Sequence, residues 1–377
     1  MRIFILVKEF AQSKMQKAYL FLSADFGDWF DPKTCANRSS PRPVNWFALA
    51  LRRTLSPSLR GTQILYSAEE GITAYLTHPS CSMHEMGRGH PECPARLAAI
   101  QDRLIAAQLW DFLLHVDAQP ATWEQLARVH DADYLDRLAT LVPAQGYVHL
   151  DPDTAINPYS LNAAYHAAGA GVLAVDLVMQ GRANNAFCAV RPPGHHAEHD
   201  RAMGFCIFNN IAVAARHAME AHGIERVAIV DFDVHHGNGT EDIFCHDERV
   251  LMVSIFQHPF FPYCGDVPRG PNMLNVPMPR ASTGVQFREA VTEKWLPALD
   301  AFAPQFIFIS AGFDAHLEDD MSSMGLVEAD YAWVTRQVRQ VAKKHAQGRI
   351  VSMLEGGYDL SALGRSVAAH IKELSGL

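Results

Sequence analysis

Asp233 and His235 stand at i and i+2, and on an extended segment that spacing turns both side chains to one face. Asp314, at the end of another apolar run, adds a second carboxylate. Two carboxylates and one imidazole suit a divalent metal, and three protein ligands leave a position open for water or substrate, as in catalytic zinc sites. His195 and His196, following Pro192-Pro193-Gly194, are adjacent imidazoles able to move protons near neutral pH. Asp231 and Asn238 flank the metal segment as candidate partners for that pair. An aspartate raises a histidine's pKa, whereas a neutral asparagine orients the ring without that effect. Tyr358, after two glycines, can offer its hydroxyl to an oxyanion. Phe205 and Phe261 lie near these motifs and can line a channel. Taken singly, each feature has an ordinary explanation: a strand-end aspartate capping a helix, a satisfied histidine pair, a turn tyrosine, core phenylalanines.

The elements around these residues favour the chemical reading. Ala186–Val190, Val227–Val230, Val250–Ser254, Phe306–Ser310 and Ile350–Leu354 are short β-rich runs with little polar alternation. That pattern predicts strands buried on both faces of a parallel sheet. Helical patterns separate them, among them Asn210–His222, closed by Gly223, and Asp330–His345. The architecture expected is an α/β sheet with helices on both faces, in which ligands bind beyond the carboxyl ends of the strands. The candidate residues follow those ends one group after another. Ala163–Gln180, interrupted by His166 and Asp176, reads as a buried Ala-rich helix and not a membrane span. The sequence contains no G-x-S-x-G, P-loop, G-x-G-x-x-G or H-E-x-x-H, so the usual competing templates lack support.

Composition sets the outer bounds. The chain has 377 residues, 49% of them hydrophobic, with a formal net charge of −9 and no overall basic field to attract nucleic acid. Its seven cysteines include no C-x-x-C pair, which argues against a disulfide scaffold or a cysteine zinc finger and for a reducing, cytoplasmic setting. All 19 histidines fall at or after His78. Residues 1–70 carry ten Lys/Arg against six Asp/Glu, while the remainder of the chain is acidic. We therefore expect residues 1–70 to be a poorly ordered extension or an upstream start, with a transit peptide or basic arm as the alternatives. The catalytic domain is expected over 71–377.

Pro192-Pro-Gly-His-His-Ala197, Gly204-Phe-Cys206, Asp231-Phe-Asp-Val-His-His-Gly-Asn-Gly239, Ser310-Ala-Gly-Phe-Asp-Ala-His316 and Leu354-Glu-Gly-Gly-Tyr358 together resemble the zinc-dependent histone deacetylase family. Gly89-His-Pro-Glu-Cys-Pro-Ala-Arg96, and Asn at 238 where class I members carry Asp, place the resemblance in the class II and bacterial amidohydrolase-like branch. The resemblance implies the arginase/deacetylase fold, a central eight-stranded parallel sheet flanked by helices. It implies one Zn2+ held by Asp233, His235 and Asp314, the histidine pair with Asp231 and Asn238, and Tyr358 as transition-state tyrosine. A histidine at that last position marks a weakly active subgroup, so Tyr358 implies activity. It further implies an acyl-lysine tunnel walled by Phe205 and Phe261, with Met324 where branches of the family vary. A structural K+ would use backbone around Asp231, Asp233, His235 and Ile255 with the Ser254 hydroxyl. The family's rim aspartate has no clean match, for Leu150 stands in its place with Asp151 and Asp153 nearby.

The implied activity is removal of acetyl or other acyl groups from lysine side chains, giving acetate and a free amine. The implied partner is an acetylated lysine peptide or a small acetylated amine, with no direct nucleic acid and no membrane; a homo-oligomer is left open. Acetylpolyamine hydrolysis is the alternative, disfavoured because no inserted loop separates His78 from Arg96. A binuclear arginase-like ureohydrolase would need bridging carboxylates where imidazoles stand. A non-catalytic acetyl-ligand binder would need a broken site.

Overall fold

The computed structural model describes residues 71–377, and the extension expected over 1–70 lies outside the described residues. The marked apolar runs become strands β5 (Asn185–Cys188), β6 (Val227–Asp231), β7 (Val250–Gln257), β9 (Phe306–Ala311) and β10 (Ile350–Leu354). Three more strands complete the sheet: β1 (Thr73–Thr77), β2 (Leu113–Asp117) and β8 (Met273–Met278). The eight run in the order β2-β1-β5-β10-β9-β6-β7-β8, with every neighbouring pair parallel. A separate antiparallel pair joins β3 (Val148–His149) to β4 (Ala155–Ile156). β5, β6, β7, β9 and β10 are buried along their whole length. The edge strands β2 and β8 mix buried and exposed positions, and β8 contains Pro277, which an edge tolerates.

Five helices frame the site: α1 (Ala95–Ala106), α2 (Ser160–Met179), α3 (Asn210–His222), α4 (Glu328–His345) and α5 (Leu360–Ser375). α3 ends where expected, on Gly223 at φ 68°, a left-handed cap that a glycine adopts without a Cβ penalty. α2 is apolar enough to cross a membrane by composition, but it is mostly buried inside the fold, against α3 and the sheet. One helix layer pairs α2 with α3; the other stacks α4, α5 and α1.

Two buried histidines brace the fold in their neutral form. His370 of α5 sits between Thr335 Oγ1 at 2.6 Å and Ser352 Oγ at 2.9 Å, linking α5 to α4 and β10. His130 donates from Nδ1 to the Glu198 carbonyl at 3.0 Å and accepts the Asn209 N–H at Nε2 at 2.9 Å, so protonation would cost it a bond. Burial lowers His370 to about 3 and His130 to about 4. A folded-state pKa below the unfolded 6.5 means the unfolded chain takes up the proton first, so stability is full above pH 6.5 and declines as pH falls. Each histidine should remove about 2 kcal/mol by about pH 5. Calorimetry should show Tm falling between about pH 7 and pH 5; a flat Tm over that range would contradict this account.

Candidate active site

β5, β10, β9 and β6 are the four central strands, and the loops leaving their carboxyl ends deliver the site. Asp231 ends β6, in register with Ser254 on β7 and Ser310 on β9. Just beyond, Asp233, His235 and Asp314 are all buried, with one potential ligand atom from each lying within 4.8 Å of the others. His235 Nδ1 is 3.0 Å from Asp233 Oδ1 and 3.2 Å from Asp314 Oδ2. The outer oxygens are held by backbone: Asp314 Oδ1 accepts the Val234 N–H at 3.0 Å, and Asp233 Oδ2 accepts the Gly356 N–H at 2.8 Å. Among the described residues Asp314 Oδ2 has no hydrogen-bond partner.

That arrangement fits a divalent cation. Burial opposes the charge on both carboxylates. His195 and His235 hold Asp233 ionised, below the ordinary carboxylate range, and the Asp233 charge then helps burial raise Asp314 to about 6. A cation among the three groups would relieve that repulsion and engage the unpartnered oxygen. The walls are cut back to admit the pair: a Cβ on Gly312 would lie 2.0 Å from Asp233 Oδ2, and one on Gly356 2.0 Å from Asp314 Oδ2. Ser254 Oγ is also buried without a partner among the described residues, as the hydroxyl of a monovalent-cation site would be.

The histidine pair divides as its partners require. His195 Nδ1 donates to Asp231 Oδ2 at 3.0 Å, and His196 Nδ1 donates to Asn238 Oδ1 at 2.8 Å. Burial would depress both rings, but the Asp233 and Asp231 carboxylates raise His195 to about 10. His196 lacks such a partner; burial and the neighbouring cationic His195 and His235 hold it well below its usual range. The rings are 4.0 Å apart. Phe261 meets His196 edge-on at 5.2 Å, and Phe205 meets Tyr358 edge-on at 5.9 Å, so the two aromatics approach from opposite members of the site. Met324 is buried and packed into the apolar core.

At the expected rim Leu150 packs, partly buried, against the core, and Asp151 and Asp153 follow in one turn, with the Asp153 N–H donating to Asp151 Oδ1 at 2.9 Å. Thr154 Oγ1 donates to Asp153 Oδ1 at 3.0 Å and accepts the Phe205 N–H at 2.9 Å, which fastens this turn to the backbone at Phe205. The residues that sequence reasoning left without a role are Glu355, Phe260, Arg96, Glu92 and Arg191. Glu355 Oε2 accepts the Gly194 and His195 N–H groups at 2.7 and 3.1 Å, fixing the backbone of the histidine pair. A charged residue directly after a fully buried strand was its one local signal. Phe260 stacks on His235 at 5.4 Å.

A second group of histidines, His217 and His222 on α3, meets Asp176 of α2. Both donate from Nε2 to Asp176 Oδ1, at 2.8 and 2.6 Å, and Arg128 lies 3.4 Å from His217 Nδ1. Hydrogen bonding accounts for this cluster without a metal.

An eight-stranded parallel sheet carrying these groups at its central carboxyl ends defines a hydrolase of amide bonds on the arginase/deacetylase fold. The histone deacetylase domain matches residues 90–374, and the chain belongs to that family, whose members are generally zinc-dependent. It is 41% identical to a histone deacetylase-like amidohydrolase of Pseudomonas aeruginosa, over 77% of this chain and 78% of that protein. It is 35% identical to a probable deacetylase of Archaeoglobus fulgidus, over 77% of this chain and 82% of that one. The crystal structure of the HDA15 HD domain superposes with a TM-score of 0.76 at 35% identity, covering 81% of this chain and 89% of that one.

Proposed function

We propose that this protein is a zinc-dependent deacylase of acyl-lysine side chains, releasing acetate or a longer carboxylate and the free amine. The observation that carries this reading is the convergence of Asp233, His235 and Asp314 beside a histidine pair with unlike partners. Zinc held by those three residues would act as a Lewis acid on the amide carbonyl and on the attacking water. His196, kept neutral and oriented by Asn238, takes the water proton at Nε2. A histidine of the pair then protonates the departing amine, with Asp231 and Glu355 holding His195 in place. Tyr358 donates its hydroxyl to the tetrahedral oxyanion. Phe205 and Phe261 flank the acyl-lysine stem, and Asp153, whose neighbour Thr154 holds the Phe205 amide, would grip the substrate backbone.

K+ beneath the site would use the Ser254 hydroxyl and backbone around Asp231, Asp233, His235 and Ile255. Six free cysteines among the described residues support the expected cytoplasmic setting. The test is metal analysis with turnover of an acetyl-lysine peptide, longer acyl-lysines and acetylputrescine by one preparation. About one zinc per chain and acetate from the peptide are expected, with both lost on chelation. Turnover confined to acetylputrescine would make it a polyamine enzyme, about two manganese ions per chain a ureohydrolase, and no turnover with zinc bound a binding protein.

A further inference from the structure

Asp319 lies five residues beyond Asp314, is only 5% exposed, and spends its carboxylate on backbone amides. Oδ2 accepts the Tyr358 N–H at 2.6 Å and the Asp359 N–H at 3.1 Å, while Oδ1 accepts the Met321 N–H at 3.0 Å. Among the described residues no lysine, arginine or histidine forms an ion pair with it. A buried carboxylate is costly unless hydrogen bonds replace its hydration, and here three amides do so. Capping α5 does not account for the arrangement, because the Asp359 side chain already accepts the Ala362 N–H at 2.7 Å.

The turn that Asp319 grips is the one that presents Tyr358. Its carbonyl side is held by Arg96, which donates to Gly357 O at 2.6 Å and Glu355 O at 2.5 Å. Its first amide, at Gly356, donates to Asp233. Gly357 has φ of +120°, a conformation that a chain with two glycines in a row leaves readily. The Gly356 carbonyl accepts the Phe313 N–H at 3.0 Å, and beyond it the amides of Tyr358 and Asp359 are both held by one carboxylate.

We propose that Asp319 is a positioning residue for the reaction: it sets the backbone at Tyr358 so that the tyrosine hydroxyl stands over the metal-ligand cluster. The inference rests on the reading of Tyr358 as the oxyanion donor. A misplacement of about 1 Å can cost about 10²-fold in rate. On the zinc-loaded full chain with an acetyl-lysine peptide, Asp319→Ala should lower kcat by about 10–100-fold with KM within about threefold. In a Tyr358→Phe background the same change should remove less than about threefold more, since no hydroxyl remains to be positioned. Asp319→Asn, which keeps one carbonyl acceptor, is run through the same cycle should the alanine variant fail to fold. Turnover near wild type, a loss carried by KM, or a full second loss in the phenylalanine background would each overturn the proposal. Amide exchange without substrate provides an independent arm. The Tyr358 and Asp359 amides should exchange faster in Asp319→Ala while those of β10 do not change. Unchanged exchange refutes the tether; altered exchange in a protein that cleaves no peptide upholds the tether and defeats the substrate reading.

Discussion

Tyr358→Phe should keep its metal, melt like the wild type and lose about 10²–10³ in turnover, the usual cost of one oxyanion-hole donor. The substitution removes one oxygen and little else. Phenylalanine keeps the ring, and with it the Arg96 guanidinium 4.9 Å from the ring centre and the Phe205 edge at 5.9 Å. The backbone at 358 keeps its bond to Asp319. Burial pushes the hydroxyl well above its ordinary pKa; Arg96 opposes this and the Asp314 and Asp233 carboxylates add to it. The group therefore remains a protonated donor throughout the neutral range, as an oxyanion partner must. Because its bond strengthens as charge develops, the loss should fall on kcat, with KM little changed. Steady-state kinetics with metal analysis on the same samples checks this. Near wild-type turnover would reject the role of Tyr358, and loss of zinc alongside activity would assign the residue to the metal site's structure.

The legible parts of this molecule are those whose signal is local. β6, β9 and β10 could be read because strands covered on both faces are apolar throughout, and their chemistry follows them in sequence. The spacing of Asp233 and His235 points to a metal only together with Asp314 and the strand ends, and the unlike partners Asp231 and Asn238 foretell the opposite shifts of His195 and His196. β2 and β8 were not marked, since edge strands are partly exposed and lose that apolar signature. The supports of the site were illegible for another reason. Glu355 reaches back 161 residues to Gly194, and Arg191 reaches back 99 to Glu92. No periodicity encodes such a bond, because it exists only once the sheet brings the loops together. The contact at the expected rim has the same origin: only the antiparallel pair β3–β4 brings the Thr154 hydroxyl to the Phe205 N–H, 51 residues away.

Glu92→Gln should be the most destabilising single change of charge in the described structure. The Glu92 carboxylate is fully buried between two fully buried arginines. Oε1 accepts from Arg96 at 3.1 Å and from Arg191 Nε, and Oε2 accepts from Arg191 at 2.5 Å, with His84 Nε2 3.5 Å away. Burial alone would raise its pKa, but Arg191 first, then His84 and Arg96, bring it down to about 2. Glutamine keeps the shape and one acceptor while leaving two buried guanidinium charges without an anion. Removing one partner of a buried ion network costs about 3–5 kcal/mol, far more than an exposed pair such as Arg201 with Glu198 returns. Urea melts should show the midpoint falling with an unchanged slope, and the Arg201→Gln control should barely move it. Activity should fall with stability, because Arg96 also holds the Glu355 and Gly357 carbonyls of the Tyr358 turn. A loss under about 1 kcal/mol would mean that the two arginines find other acceptors, and the Cys81 carbonyl, 2.8 Å from Arg191, would be the first to consider.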